Sequence, residues 1–415
     1  MIGQEVLGLL VSLTAIASFI NYRFVRLPKS IGITLITLLL SLIVVVGSKL
    51  GLNVEKYSRV LLDGIDFNVT FLHGMLSFLL FAGALHVNVI ELSRYKILVS
   101  LLATASVLFS AFFMGYGLYY LTQFFCINLP FYYCFVFGAL ISPTDPIAVL
   151  GVLKIIRAPR SLELKIVGEA LFNDGLGIVL FIVLVALASG NKKILLLEDI
   201  FFYFFKQGLG GVFLGIIVGY IFSILLNKID DYEIAIILTL SVVSGGYTLA
   251  HSIFDVSGPL CIVTIGLVIG NSIKDGNISD ETINRLGSFW ELIDEVLNAI
   301  LFVLIGLEFI SLRLDLHLVM TGVSSIFVAI IVRWFSIFIP ITGLSNFKNL
   351  NSTTLIILTW SGLRGGISIA LALSVDGFYR DIILSVTYIV VIFSMMFQGV
   401  TIGPLIKRFI TRRKF

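Results

Sequence analysis

Long apolar runs alternate along the chain with short stretches of charged residues, Pro and Gly. Thirteen of these runs, each of about 17–27 residues, are long enough for a helix to cross the hydrocarbon core of a bilayer. They lie near residues 4–22, 31–50, 69–89, 97–123, 130–153, 163–189, 208–227, 233–251, 257–273, 291–311, 316–340, 352–374 and 382–406. The run at 257–273 is short and weakly bounded, so twelve spans plus one re-entrant segment is the alternative. The pattern predicts an all-α polytopic membrane protein.

The composition supports this class. Of the 415 residues 58% are apolar and 13% are charged, far from the composition of soluble domains. The first apolar run has no basic lead and no cleavage pattern, so we interpret it as a span and not as a removed signal. The three cysteines have no metal or redox spacing and are expected to be core residues. We expect no cofactor and no nucleic-acid partner.

The basic residues between the predicted spans are unevenly distributed. If the N-terminus lies outside, eighteen Lys and Arg residues fall on the cytoplasmic side and eight on the outer side. Cytoplasmic loops carry such an excess, so the sequence predicts a multi-pass protein of the cell inner membrane with an external N-terminus and a cytoplasmic C-terminus. The chain ends soon after the last run, and we therefore expect no soluble regulatory domain.

The predicted span 163–189 contains Glu169, Asn173 and Asp174 in its centre. A charged group inside a membrane helix costs roughly 2.5–3.5 kcal/mol on insertion scales, which makes a functional site the default interpretation. At 100° per residue, Glu169 and Asn173 lie about 40° apart, whereas Asp174 lies about 140° from Glu169. The two carboxylates are therefore expected to face different surroundings.

Two other predicted spans are interrupted, one by Ser142-Pro143-Thr144-Asp145-Pro146 and the other at 361–366. Proline removes backbone donors and clashes with the preceding turn, so the first span should unwind. Paired interrupted helices mark the binding site of inverted-repeat transporters. Freed carbonyl oxygens and the Thr144 hydroxyl suit a small alkali cation, and Asp145 offsets the partial positive charge of a half-helix N-terminus. A simple proline kink with a capping Asp145 is the alternative.

Glu169 requires a buried cation as its partner. We predict an ion pair with Arg364, because the glycines beside Arg364 allow close approach and its span is interrupted. The alternative is that Glu169 is itself a ligand of the transported ion. Arg333, in an apolar span, is expected to extend its side chain toward the interface or to contact lipid.

Asp174 is left without an obvious cation. A buried carboxylate in this position can bind either a proton or a metal cation, and binding at the same oxygens makes the two exclusive. We predict Asp174 as the carrier of both. The alternative is a protonated aspartate that only forms hydrogen bonds within the bundle.

Four motifs carry a resemblance to a known family. They are GALISPTDP at 138–146, GEALFNDG at 168–175, LNAILFVLIGLE at 297–308 and WSGLRGG at 360–366. The chain resembles the NhaP-type members of the monovalent cation:proton antiporter-1 family, which are relatives of the eukaryotic sodium/hydrogen exchangers. The resemblance covers nearly the whole chain.

The resemblance implies an inverted-repeat fold of about thirteen helices with two crossing discontinuous helices, assembled as a homodimer in the lipid bilayer. It implies a core bundle that moves, mainly 69–189 and 291–406, and a dimerisation scaffold, mainly 1–50 and 208–273. It further implies exchange of Na⁺ or Li⁺ for H⁺, with one proton per cation because an Asn-Asp pair stands in the central motif.

For individual residues, the resemblance implies that Asp174 carries ion and proton and that Asn173 steadies the site. Thr144 joins Asp174 as a Na⁺ ligand, Asp145 balances helix ends, and Glu169 with Arg364 ties the core together. Two positions depart from the family pattern. Ala170 stands where Ser is common, and Ala82 where some members have an acidic residue, so the ligand set is short by up to two oxygens.

The sequence therefore predicts a secondary antiporter, not an enzyme, that serves pH and sodium homeostasis. An intramembrane aspartyl protease using Asp145 and Asp174 is the alternative, although the Gly-x-Gly-Asp pattern of that class is missing. A passive cation channel is a third possibility.

Overall fold

The computed structural model describes residues 2–50, 74–156, 158–189, 197–273, 278–312, 315–342 and 352–412. Within these ranges all regular secondary structure is helical. The helices are α1 Ile2–Ile20, α2 Lys29–Lys49, α3 Leu76–Leu85, α4 Val89–Ser93, α5 Lys96–Ala103, α6 Ala105–Phe124, α7 Phe131–Ile141, α8 Ile147–Ile156, α9 Arg160–Ala188, α10 Leu197–Leu226, α11 Tyr232–Thr248, α12 Gly258–Ser272, α13 Asp280–Glu308, α14 Leu316–Thr342, α15 Ser352–Trp360, α16 Gly366–Leu373, α17 Arg380–Phe393 and α18 Gly399–Arg412. The predicted all-α class is confirmed.

In the described part of the chain, eight helical stretches are long and apolar enough to cross a membrane. Two of them join neighbouring helices, Lys96–Phe124 and Arg380–Phe409. Three shorter apolar helices are α3, α7 and α12. The first residues of the predicted span 69–89 lie outside the described ranges, and the count of thirteen stays a prediction.

Two helices are interrupted where the sequence predicts it. The first break separates α7 from α8 and contains Pro143 and Pro146, which lack backbone donors. The second separates α15 from α16. The breaks meet, because the backbone N–H of Asp145 donates to the carbonyl of Leu363 at 2.8 Å. Gly365 permits this approach, since a Cβ there would overlap the Asp145 carboxylate. The predicted crossing of two discontinuous helices is confirmed.

Helix α9 brings the central polar motif to this crossing. It packs against α5 and α7 on one side and contacts α10 and α12 on another. A Cβ at Gly177 would overlap the ring of Pro143, so the α9 backbone lies directly against the first break. Helix α9 therefore contacts both the first broken helix and the helices at 197–272.

Helix α13 is fixed at two levels. The indole of Trp290 is fully buried, and its Nε1 donates to Thr239 Oγ1 on α11 at 3.1 Å. At the start of the helix, Asp230 accepts from the Ser279 hydroxyl (2.6 Å) and amide (3.0 Å) and from Thr282 Oγ1 (3.0 Å). These donors stabilise the ionised form and lower the pKa of Asp230. The loop before α11 thereby anchors the N-terminal end of α13.

The packing of α7 against α6 gives a first prediction. A Cβ at Gly138 would overlap the carbonyl oxygen of Ala111, so Gly138→Ala should overpack this contact and destabilise the protein by about 1–3 kcal/mol. Gly83→Ala is the matched control, because a Cβ at Gly83 meets nothing within 4 Å. Thermal unfolding in detergent compares the two; equal melting temperatures would contradict the described approach of α6 and α7.

Candidate ion-binding site

Asn173 joins α9 to the first break through both ends of its carboxamide. Its Nδ2 donates to Thr144 Oγ1 at 2.8 Å, and its Oδ1 accepts from the Thr144 backbone N–H at 3.3 Å. Both side chains are buried, and the carboxamide supplies partners that the unwound segment cannot find within a helix. The sequence-predicted residues Asn173 and Thr144 are therefore brought into direct contact.

Asp174, the next residue, is buried, and its carboxylate has no bonding partner among the described residues. Its exposed fraction is 7%, and its carboxylate forms no hydrogen bond or ion pair with any residue in the described ranges. The charged group that acts on it electrostatically is Asp145, a second carboxylate. Because two neighbouring carboxylates repel each other when both are ionised, this arrangement favours the binding of a proton or a cation.

Arg364 satisfies carbonyl groups released by the first break. Its Nη1 donates to the carbonyl oxygens of Ser142 (2.5 Å) and Pro143 (2.8 Å), where α7 ends. Its backbone N–H donates to Ser394 Oγ at 2.9 Å. The end of a helix presents unpaired carbonyls and partial negative charge, so a guanidinium at this point stabilises both.

The structure corrects the predicted partner of Glu169. The direct ion pair is with Arg333 on α14, whose Nη2 lies 2.5 Å from Glu169 Oε1, and the predicted direct pair with Arg364 is wrong. The expectation that Arg333 extends toward the interface or contacts lipid is wrong as well, because its side chain is 5% exposed. Arg364 still acts on Glu169 electrostatically, but at longer range.

Two contacts explain why Glu169 pairs with Arg333 and not with Arg364. The first is that Arg364 donates its hydrogen bonds to the carbonyls of the first break. The second is Gly362, whose missing side chain leaves room for the Arg333 guanidinium beside the second break. The sequence carried one signal for Arg333: an arginine in the middle of an apolar span is costly unless it is paired inside the bundle.

The site offers hard oxygen ligands and no soft ones. Thr144 Oγ1, the Asp174 carboxylate and carbonyls of the unwound segment are the kinds of donor that alkali cations prefer. Ala170 and Ala82 are both buried and add no side-chain oxygen. Among the residues that the structure describes, no group of three or more His, Cys, Asp or Glu side chains is arranged to hold a metal ion.

Comparison with known proteins agrees with this geometry. A family model described as sodium/hydrogen exchanger, transmembrane, matches residues 9–408. The chain is 43% identical over 411 residues to the Na(+)/H(+) antiporter NhaP of Pseudomonas aeruginosa, which covers 97% of this chain and 96% of that protein. It is 32% identical over 414 residues to the Na(+)/H(+) antiporter NhaH of Halobacillus aidingensis, covering 98% and 97%.

A solved structure shares the fold. The sodium proton antiporter MjNhaP1 from Methanocaldococcus jannaschii, determined at pH 8, superposes with a TM-score of 0.77 at 19% sequence identity. The superposition covers 98% of this chain and 99% of that one. With the family model spanning nearly the whole chain and the crossing of broken helices in place, the chain is a multi-pass membrane protein that belongs to the sodium/hydrogen exchanger family.

Proposed function

We propose that the protein is a secondary active antiporter that exchanges Na⁺ or Li⁺ for H⁺ by alternating access and serves pH and sodium homeostasis. The observation that carries this proposal is the Asp174 carboxylate, buried beside an unwound helix and unpaired with respect to the described residues. The names of the relatives, which are Na(+)/H(+) antiporters, support the same activity.

Exchange follows from the exclusive use of one pair of oxygens. The ionised Asp174 binds the cation, and Thr144 Oγ1, which accepts only one hydrogen bond from Asn173, keeps a second lone pair for the same ion. Water or backbone carbonyls complete the ligand set. The protonated carboxyl is neutral and has no charge for a cation. An empty, ionised Asp174 is the costly state inside the bilayer, so the site changes its accessible side only when it is occupied.

The remaining charged residues hold the crossing in shape. Glu169 and Arg333 form a buried ion pair, and Arg364 holds the carbonyls of the first break. Asp145 lies at the contact of the two breaks and balances the N-terminal ends of the half-helices. We assign these four residues a structural and electrostatic role, and the binding of the transported ion to Asp174 and Thr144.

At the level of the whole molecule, we propose a homodimer in the inner membrane with an external N-terminus and a cytoplasmic C-terminus. The core bundle, mainly 69–189 and 291–406, moves against the scaffold, mainly 1–50 and 208–273. The contacts of α9, which lies in the proposed core bundle, with α10 and α12 of the proposed scaffold support this division. One proton is exchanged for each cation, so transport is electroneutral.

The aspartyl protease alternative finds no support in the comparisons, and a peptide-cleavage assay would test it directly. A passive channel differs from an antiporter in one observable. Its cation flux would carry current and would not depend on a proton gradient.

Asp174→Asn should abolish exchange while leaving the protein folded, because the amide keeps the size of the side chain but has no negative charge and no proton to exchange for a cation at neutral pH. Asp255→Asn is the matched control, since Asp255 is exposed and pairs with Lys206. The assay follows a pH dye in proteoliposomes to which Na⁺, Li⁺ and K⁺ are added in turn. Sodium-driven pH changes that persist in Asp174→Asn would exclude Asp174 as the carrier.

Arg333→Gln should destabilise the fold by about 3–5 kcal/mol, because it leaves the Glu169 charge buried without compensation. The double variant Glu169→Gln/Arg333→Gln should recover much of this loss. Lys29→Gln is the control: Lys29 pairs with Glu295 at an exposed position, where removal should cost about 0–1 kcal/mol. Thermal unfolding of the purified protein tests the series. A wild-type melting temperature for Arg333→Gln would contradict the assignment of Arg333 as the partner of Glu169.

A further inference from the structure

A stripe of polar residues follows one face of α13 toward the crossing. It consists of Glu291, Asp294, Glu295 and Asn298, which repeat at the three- and four-residue spacing of a helix face. Glu291 and Glu295 are exposed, whereas Asp294 is half-buried and Asn298 is only 5% exposed. The next turn on this face is apolar, and its Leu301 lies against Gly366 at the start of α16. The polar stripe therefore ends next to the second broken helix.

The exposed end of the polar stripe, at Glu291, borders a cavity. This cavity of about 270 Å³ has a mixed apolar and polar lining, and its polar side chains are Asn284, Ser288 and Glu291 of α13 and His86 after α3. In the proposed orientation it faces the cytoplasm. The polar groups of this lining are the kind that a hydrated cation could contact on its way to the first turns of α13.

Asp294 and Glu295 are the two adjacent carboxylates of the polar stripe, and only Glu295 has a cationic partner among the described residues. Glu295 forms an ion pair with Lys29 on α2, with Oε2 and Nζ 2.7 Å apart. The carboxylate of Asp294 has no cationic partner within the described ranges and accepts one hydrogen bond, from Asn298 Nδ2 at 3.0 Å. The Asp145 carboxylate at the break repels it electrostatically. A cation bound at Asp294 would relieve this repulsion.

Asn298 supplies an independent observation. Its Oδ1 is buried and has no hydrogen-bond partner among the residues that the structure describes. A buried carbonyl left in this state costs about 1–3 kcal/mol. Nδ2 of the same planar amide contacts Asp294 at 3.0 Å, so a rotation of the amide would turn Oδ1 toward that carboxylate. A carboxylate and an amide carbonyl are hard oxygen ligands of the type that Na⁺ binds.

We propose that Asp294 and Asn298 form a second site for a monovalent cation on the cytoplasmic approach, where the ion is held before it passes to Asp174. Binding replaces the hydrogen bond between the two side chains, because the amide rotates and turns Oδ1 toward the ion. Glu291 at the cavity adds attraction at longer range. This site rests on the proposed antiport for its role, but its cation binding can be measured separately.

The test measures sodium-dependent exchange from each face of the membrane. Everted vesicles present the cytoplasmic face, and right-side-out vesicles present the outer face. From the cytoplasmic face, Asp294→Asn and Asn298→Ala should each raise the half-saturating Na⁺ concentration about tenfold, the loss of one charge-assisted contact. From the outer face they should leave it unchanged. Glu295→Gln is the control and should match the wild type on both faces.

Three results would overturn the second site: an unchanged half-saturating concentration, an equal change from both faces, or a change in the pH dependence alone. If Asn298→Ala fails to fold, Asn298→Asp replaces it. This variant adds a carboxylate oxygen and should lower the half-saturating Na⁺ concentration from the cytoplasmic face, and a higher value counts against the site.

A binding measurement separates this proposal from the proposed function. Retention of radioactive Na⁺ by purified Asp174→Asn should persist and should disappear in Asp174→Asn/Asp294→Asn. Loss of binding already in the single variant overturns the second site. Exchange activity in Asp174→Asn would instead overturn the assignment of Asp174 as the carrier. The retention of Na⁺ would still test the second site independently.

Discussion

A bilayer interior offers no water to satisfy polar groups, so an unwound helix can exist there only if the protein supplies its partners. The two breaks in this chain meet that constraint with few contacts. Arg364 takes the carbonyls of Ser142 and Pro143, and the Asp145 N–H donates to Leu363. Asn173 satisfies both the amide and the hydroxyl of Thr144. The remaining features of the site depend on these hydrogen bonds within the protein.

The same constraint distinguishes a buried carboxylate that has an ion-pair partner from one that has none among the described residues. Glu169 lies within a few residues of Asp174 on α9, yet it forms an ion pair with Arg333 that compensates its charge. Asp174 has no such partner in the described part of the chain, and in the proposed mechanism a proton or a metal cation compensates its charge. In that mechanism Glu169 and Asp174 have different functions although they lie on one helix, because only Glu169 is paired with an arginine.

The sequence predicted the elements of the site but not all of their connections. Helical periodicity placed Glu169 and Asp174 on different faces, and the prolines at 143 and 146 located the first break. The partner of Glu169 could not be derived in this way, because Arg333 and Arg364 are both buried arginines in apolar spans. Which arginine pairs with Glu169 depends on the close approach of Arg333 to Gly362 and on the hydrogen bonds that Arg364 donates to the carbonyls of the first break. Both are properties of the packed breaks and leave no periodic signal in the sequence.

The sequence alone assigns no single role to Asp294, because a carboxylate near the end of a span fits a solvated position and the mouth of a pore equally well. Its position becomes informative only when Asn298 is seen to be buried with an unpaired carbonyl oxygen in the described structure. A second site outside the crossing cannot change the gradient at which exchange comes to rest, because that limit is set by stoichiometry alone. It can change only how often a cation reaches Asp174 from one side. An antiporter built in this way could adjust its sensitivity to cytoplasmic sodium without altering the carboxylate that couples the two fluxes.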